Sequence, residues 1–263
     1  MSAAHRAERS GGVHFLATPR IAGQLVRSCP LHENDLVVEI GAGQGAITTH
    51  LVATKARILA VERDPQFANI LRKRFAGRVR VIEADARDFR LPQRKFAVVA
   101  SIPYALSSSL FRRLLSPQRT RLHRAAIIVE WGFAKRLTAN RPRNPEQAWW
   151  AARFDIRLVS RIAASHFSPA PRVDSAHVTL HRKHTMGERA LWTLLEASYR
   201  APSRPARSVL APVKRNPHRA LRRADIDPAQ PAATVLPRQW AALAAHLADD
   251  RDLHWPPLPR WLR

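Results

Sequence analysis

The sequence predicts an α/β fold, a Rossmann-like and mostly parallel sheet followed by a small C-terminal helical domain. Three observations predict it. Short β-rich runs recur from Leu36 onward, each followed by a segment with helical spacing or a polar loop. These runs are apolar throughout, as expected of parallel strands covered by helices on both faces. The character then changes near residue 184, since 10 of the chain's 20 prolines fall in its last 80 residues.

In order, the predicted strands are LVVEI (36–40), RILAVE (57–62), VRVIEAD (79–85), FAVVAS (96–101) and AAIIVEW (125–131). Two further runs, FDIRLVSRIA (154–163) and SAHVTLHRK (175–183), have no long helix between them and read as an antiparallel hairpin at one sheet edge. Helices are expected over 187–201, near 217–224 and over 237–250. The closing LHWPPLPRWLR is too proline-rich for a helix or central strand; it either wraps back onto the body or stays mobile. The domains are therefore 1–183, carrying the sheet, and 184–263, helical, basic and proline-rich. At 263 residues and 46% hydrophobic content, the chain can bury a substantial core.

The charge is the most unusual property. Thirty-eight Arg and six Lys against 20 acids give a formal +24, with a pI near 11.8. Such a field concentrates polyanions, so nucleic acid is the first partner to consider and an anionic membrane surface the second. A GC-rich coding sequence also explains the preference for Arg, but not the excess over acids. The single Cys29 excludes an internal disulfide and a cysteine-based zinc site, and no metal is expected. No apolar stretch approaches the roughly 20 residues of a membrane span, and the N-terminus lacks a signal-peptide core. The expected compartment is the cytoplasm.

VVEIGAGQGAITTHL (37–51) reads as strand, glycine turn and helix start, with Gly41, Gly43 and Gly45 where backbone must turn and approach a ligand. Alone, this is weak evidence, with a tight strand-to-helix connection as the alternative. The next strand ends at Glu62, about 20 residues on, where an acid can accept both ribose hydroxyls of a nucleoside. The one after ends in EADARDF, with Asp85 able to accept from an adenine amino group, Ala86 beside it, and Asp88 available to cap a turn. Gly, Glu and Asp at successive strand ends converge on one crevice. The turn lacks the Lys-Ser/Thr pair of a triphosphate loop, and S-adenosylmethionine (SAM) fits better.

The fourth strand ends in Ser101-Ile102-Pro103-Tyr104. An adenine N6 is a poor nucleophile because its lone pair is delocalised into the ring. Hydrogen bonds accepted from that amine by the Ser101 hydroxyl and the Ile102 carbonyl would localise the lone pair, with Pro103 fixing the backbone. Tyr104 offers a face for the extracted base, an interaction worth about 1–3 kcal/mol. Positioning carries most of such a transfer. The competing reading is a strand closed by a proline turn and a core tyrosine.

These motifs resemble the adenine-N6 methyltransferases of ribosomal RNA, especially the Erm type that confers macrolide, lincosamide and streptogramin B resistance. The resemblance covers about residues 11–183 well and the rest loosely. HFLATPRIAGQLV (14–26) is similar to that family's QNFL opening, EIGAGQGAIT to its glycine motif, VERD and EADARD to its two acids, SIPY to its NIPY, and HFSPAPRVDSA (166–176) to its late aromatic and proline motif. It implies a class I methyltransferase sheet, SAM as cofactor, and 23S rRNA as partner of a monomeric enzyme. It places His14, Leu16, Gly41, Glu62, Asp85 and Ser101 at cofactor-contacting positions, Tyr104 under the base and Phe167 near the transferred methyl. The family has Asn where this chain has His14 and Ser101. His14 either donates to the cofactor or serves as a structural entry residue, and Phe167 either faces the methyl group or belongs to the core.

The expected RNA contacts are cations in two acid-free runs. The first supplies Arg112, Arg113, Arg119, Arg121 and Arg124, extended by Lys135, Arg136, Arg141 and Arg143. The second, 200–223, supplies Arg204, Arg207, Lys214 and Arg215. An enzyme that extracts a base needs such phosphate anchors; a solvated helix face is the alternative. Trp149 and Trp150 read as either packing or base-stacking residues. The rival functions are a small-subunit rRNA adenine dimethyltransferase and a catalytically inactive RNA-binding assembly or transcription factor of the same fold.

Overall fold

In the computed structural model, residues 14–250 and 252–263 are described. A two-residue strand β1 (Phe15–Leu16) leads into α1 (Pro19–Arg27), which starts on proline and buries Ala22, Leu25 and Val26. The nucleotide-type unit then runs β2 (Leu36–Ile40), α2 (Thr48–Leu51), β3 (Arg57–Glu62), α3 (Pro65–Arg74), β4 (Val79–Glu83), β5 (Phe96–Ser101), α4 (Ser107–Leu115) and β6 (Leu122–Glu130). After it come α5 (Trp131–Leu137), α6 (Pro145–Arg153), β7 (Phe154–Ile162), β8 (Phe167–Ser168) and β9 (Ser175–Arg182). Four helices close the chain: α7 (Glu188–Arg200), α8 (Ala206–Leu210), α9 (His218–Arg223) and α10 (Pro237–Ala248).

The seven-stranded sheet has the order β4-β3-β2-β5-β6-β9-β7. Strands β2 to β6 pair in parallel, and β9 joins β6 antiparallel. The expected edge pair is present, with β7 outermost beside β9. The order reverses at β2: the chain steps outward to β3 and β4, then returns to the other side as β5. This reversal opens a crevice at the carboxyl ends of β2 and β5, where ligands bind in open α/β sheets. One buried cluster joins Leu25, Val26, Val37, Leu51, Ile58, Val99 and Ile128, and a second joins Ala42, Ala60, Leu71 and Phe75; Ile58 and Ala60, two residues apart on β3, put both on the same sheet face.

Capping fixes where several helices start. The Asp64 carboxylate accepts from the N–H groups of Gln66 and Phe67 ahead of α3, and Asn144 Oδ1 accepts from Gln147 N ahead of α6; proline follows each cap. The helix after the glycine turn is shorter than its apolar pattern suggests. It spans four residues, because Thr49 donates back to the Gly45 carbonyl at 2.8 Å and Lys55 adopts a left-handed φ of 60° at the end of the following 3₁₀ turn.

The chain forms two compact units. Of the described residues, one holds those to Leu114, Arg121–Lys135 and Ile156–His181; the other holds Leu115–Thr120, Arg136–Asp155 and those from Arg182 to Arg263. The second unit thus takes α6 and the 115–120 turn from ahead of residue 183. Its centre is Arg153, which is 0% exposed. This guanidinium donates to the carbonyls of Leu115, Ser116, Pro117 and Gln118, pairs with Glu188 at 3.1 Å, and lies 4.4 Å from the Trp149 ring centroid. Trp149 and Trp150 are buried and donate their indole N–H groups to Ser116 O and Ser116 Oγ. Packing is their role, and stacking on exposed bases is excluded. The proline-rich end also packs: Leu258 and Leu262 are buried, Leu262 O accepts from Gln118 N, and Trp261 meets Trp192 edge-on. No helix among the described residues is long and apolar enough to cross a membrane.

Candidate active site

The glycine turn leaves β2 with left-handed backbone at Gly41, Gly43 and Gly45, at φ of +72°, +51° and +85°. A side chain at Gly43 would be strained and would press on the Phe15 ring at 3.0 Å, whereas at Gly41 only the Ser101 carbonyl lies within 4 Å. The turn is therefore walled by the chain's N-terminal segment and by the end of β5. Phe15 itself packs edge-on against Phe67.

Glu62, at the end of β3, braces the turn: its Oε2 accepts from Gly43 N at 2.8 Å and its Oε1 from Asp64 N at 2.9 Å. Each oxygen keeps a second lone pair able to accept from a further donor. Within β2 lies an acid that motif reading passed over. Glu39 is fully buried, its Oε2 accepts from Thr48 Oγ1 at 2.6 Å, and its Oε1 has no partner among the described residues. Burial pushes its carboxyl up to about 8, against the Thr48 hydrogen bonds. An acid inside an otherwise apolar strand was the available signal. Beyond β4, Asp85 is clasped by its own neighbour, since Oδ1 accepts from Arg87 N and Nε and Oδ2 from the terminal guanidinium nitrogen at 2.8 Å. These hydrogen bonds from Arg87 pull the carboxyl down to about 2. Ala86 and Arg87 line a cavity of about 60 Å³ with Leu106, Ser109, Leu110 and Arg113.

At the end of β5, Ser101 is half-buried, and Ile102 is buried with its N–H on Ile128 O. The Pro103 carbonyl accepts from Leu106 N, starting the turn into α4. Tyr104 is half-buried and its hydroxyl hydrogen-bonds Ser175 Oγ at 2.7 Å. Burial raises its phenol above the usual range, more than the Ser175 bond lowers it. Its ring lies 5.9 Å from that of His14. His14 also hydrogen-bonds the Pro169 carbonyl through Nδ1 at 2.8 Å.

That last contact belongs to a clasp the motifs did not reveal. β1 pairs antiparallel with β8, Phe15 opposite Ser168 and Leu16 opposite Phe167, so the opening and late aromatic motifs form one structure. Ala17 N–H donates to His166 O, and Thr18 Oγ1 meets His166 Nδ1 at 3.0 Å. Leu16 and Phe167 are both buried in the core cluster. At 5% exposed, Phe167 packs as a core side chain and Leu16 contributes position rather than surface.

The predicted cations divide in two. Arg119, Arg121, Arg141, Arg143, Arg204, Arg207 and Arg215 are exposed, as are Arg112, Arg136 and Lys135, the last with its ammonium 5.9 Å from the Trp131 ring. Three others are committed internally. Arg113 donates to the carbonyls of Ala86 and Phe89 and covers the Phe89 ring, Arg124 donates to Pro30 O and pairs with Asp35 at 3.6 Å, and Lys214 pairs with Asp250 at 2.9 Å. The second run, 200–223, also contains Arg219, Arg222 and Arg223, which line an open groove of about 540 Å³ with Asn216 and His218.

Comparison with known proteins identifies the family and the fold. The family model described as ribosomal RNA adenine dimethylase matches residues 4–244. An rRNA adenine N-6-methyltransferase of Bacillus licheniformis is 36% identical over 174 residues, 65% of this chain, and the match spans 61% of that protein's length. The ribosomal RNA small subunit methyltransferase A of Myxococcus xanthus is 29% identical over 258 residues, 90% of each chain. The crystal structure of the 23S rRNA methyltransferase ErmE superposes with a TM-score of 0.74 at 24% identity, covering 88% of this chain and 98% of that one, and has the same Rossmann-like fold. The chain belongs to the ribosomal RNA adenine dimethylase family.

Proposed function

We propose that this chain transfers methyl groups from SAM to the N6 of one adenine in 23S rRNA, acting as a cytoplasmic monomer and conferring macrolide, lincosamide and streptogramin B resistance. The observation that carries the reading is the reversal at β2 and β5, which gathers Gly41, Glu62, Ser101 and Tyr104 at one sheet end with His14 beside Tyr104.

The residues fit the cofactor. Open backbone at Gly41 and the second lone pairs of Glu62 suit a nucleoside bearing an amino-acid tail, with Asp85 and Ala86 on its adenine. When bound, SAM supplies an electrophilic methyl on a sulfonium. Tyr104, its hydroxyl held by Ser175, presents a ring for the extracted adenine. The Ser101 hydroxyl and the Ile102 carbonyl accept from the N6 amine and aim its lone pair, while Pro103 keeps that carbonyl fixed. Serine has a shorter reach than asparagine, so the amine approaches the β5 end closely. No general base is needed, because the proton leaves after transfer. The exposed arginines supply the phosphate contacts that hold the distorted strand.

Tritiated methyl transfer to separated large- and small-subunit RNA, followed by mass spectrometry of the labelled nucleoside, tests this. Label on one large-subunit adenine is expected. The near-full-length likeness to the Myxococcus protein supports a second reading, in which label enters small-subunit RNA. SAM binding without incorporation into any RNA removes the enzymatic reading.

A further inference from the structure

We infer that Trp131 and Arg161, flanked by Lys135, form a stacking platform for the nucleotide next to the target adenine. This deepens the reading above and rests on it. Trp131 stands at the carboxyl end of β6, next to the strand that ends in Ser101-Ile102-Pro103-Tyr104. Its position is tied to Tyr104 through a short chain of contacts. Glu130, one residue earlier, pairs with Ser175 in the β6–β9 register, and Ser175 holds the Tyr104 hydroxyl. Trp131 N–H donates to the Asp174 carbonyl at 3.0 Å. The Glu130 carboxylate accepts from Gly132 N and Phe133 N, which fixes the start of α5 and with it the indole.

Over this ring lies the Arg161 guanidinium, 5.2 Å from the centroid. Asp174 Oδ2 accepts from Arg161 Nε at 2.7 Å and so orients the plane, yet the side chain is 61% exposed. The two terminal guanidinium nitrogens have no partner among the described residues. Lys135 adds an exposed ammonium 5.9 Å from the same ring.

An indole, an oriented guanidinium plane and an ammonium, supplied by β6–α5 and β7, match one kind of ligand. Unstacked bases stack on aromatic rings and on guanidinium planes, and their phosphates take the remaining N–H donors. A structural ion pair explains the Arg161–Asp174 contact but leaves unexplained why the guanidinium's free edge and the Lys135 ammonium converge on one half-buried ring at the strand end next to the base-binding tyrosine. Extraction of an adenine leaves its neighbours unstacked, and a platform here compensates for that loss.

The test uses the rRNA fragment methylated by the wild-type chain, with 2-aminopurine placed next to the target adenine. Expected are quenching on binding by the wild type, loss of that quenching in Arg161→Ala, and a rise in KM for RNA of roughly 5- to 100-fold in Arg161→Ala and Trp131→Ala. SAM affinity should stay unchanged and turnover at saturating RNA should stay within about threefold, as uniform binding loss requires. Trp131→Phe, which keeps a ring, should retain most of the quenching. Because Arg161 is exposed, its variant decides the matter if Trp131→Ala fails to fold. Wild-type KM and quenching in Arg161→Ala overturn the platform. Failure of the wild type to methylate any RNA overturns the functional reading instead; quenching of a 2-aminopurine single strand, lost in Arg161→Ala, then still supports the platform, and its absence in the wild type refutes it.

Discussion

Replacing Tyr104 separates the two parts of its role. The hydroxyl makes one hydrogen bond, to Ser175 Oγ at 2.7 Å, and a bond of this kind contributes about 0.5–1.5 kcal/mol. The ring is half-buried beside His14; stacking of one base on such a ring contributes about 1–3 kcal/mol. At about 1.4 kcal/mol per tenfold, Tyr104→Phe should lower kcat/KM for rRNA by roughly 2- to 12-fold, since the ring survives but loses its anchor. Tyr104→Ala should lower it by a further factor of about 5 to 150. SAM affinity should change little, because the turn at Gly41–Gly45 and the carboxylates of Glu62 and Asp85 remain. The assay is methyl incorporation under varied rRNA, with SAM affinity measured by calorimetry in parallel. Tyr104→Ala within twofold of wild type, or an equal loss in cofactor affinity and turnover, refutes the assignment.

Other outcomes follow from the same structure. Asp85→Ala should weaken SAM by about tenfold, the cost of one charge-assisted hydrogen bond, with turnover at saturating SAM preserved; calorimetry checks it. Arg153→Met removes the donor shared by four carbonyls and strands Glu188, which should cost about 3–5 kcal/mol and appear as a lower melting temperature. Glu39 has a folded pKa raised to about 8. The folded chain therefore holds a proton that the unfolded chain has lost, and stability falls as pH rises from the ordinary glutamate range toward 8. Glu39→Gln should remove that slope, so its melting temperature should gain on the wild type between pH 5 and 8. For His177, burial depresses the imidazole to about 4, so its contribution is present above the ordinary histidine range and is lost as pH falls toward 4; His177→Gln should flatten the acid side of the melting profile.

The parts of the fold with strong local signals were legible. Buried parallel strands read as continuous apolar runs, and glycines with two acids at successive strand ends predict a shared crevice because ligands in open α/β sheets bind at the carboxyl ends of the strands. Less visible were contacts between residues far apart in sequence. Nothing local tells Phe15 to pair with Ser168, Tyr104 to meet Ser175, or Arg153 to gather the carbonyls of the 115–120 turn. Charge counting also overreached. Arg113, Arg124 and Lys214 look like their exposed neighbours in sequence, but tertiary packing gives them carbonyl and carboxylate partners. Phe167 shows the same limit, since an aromatic in a motif does not reveal whether its ring lines a cleft or fills the core.

The pairing of β1 with β8 also orders events in time. Its two halves lie about 150 residues apart, so closing that loop is entropically expensive and contributes nothing until most of the polypeptide has left the ribosome. The strands β2 to β5, proposed to hold the cofactor, can collapse earlier, whereas the segment bringing His14 up to Tyr104 must wait for Phe167 and Ser168. A newborn chain should therefore acquire its nucleoside pocket first and its catalytic mouth last. Pulse-labelled hydrogen exchange during refolding, with late protection at Phe15 and Leu16, would reveal that sequence of assembly.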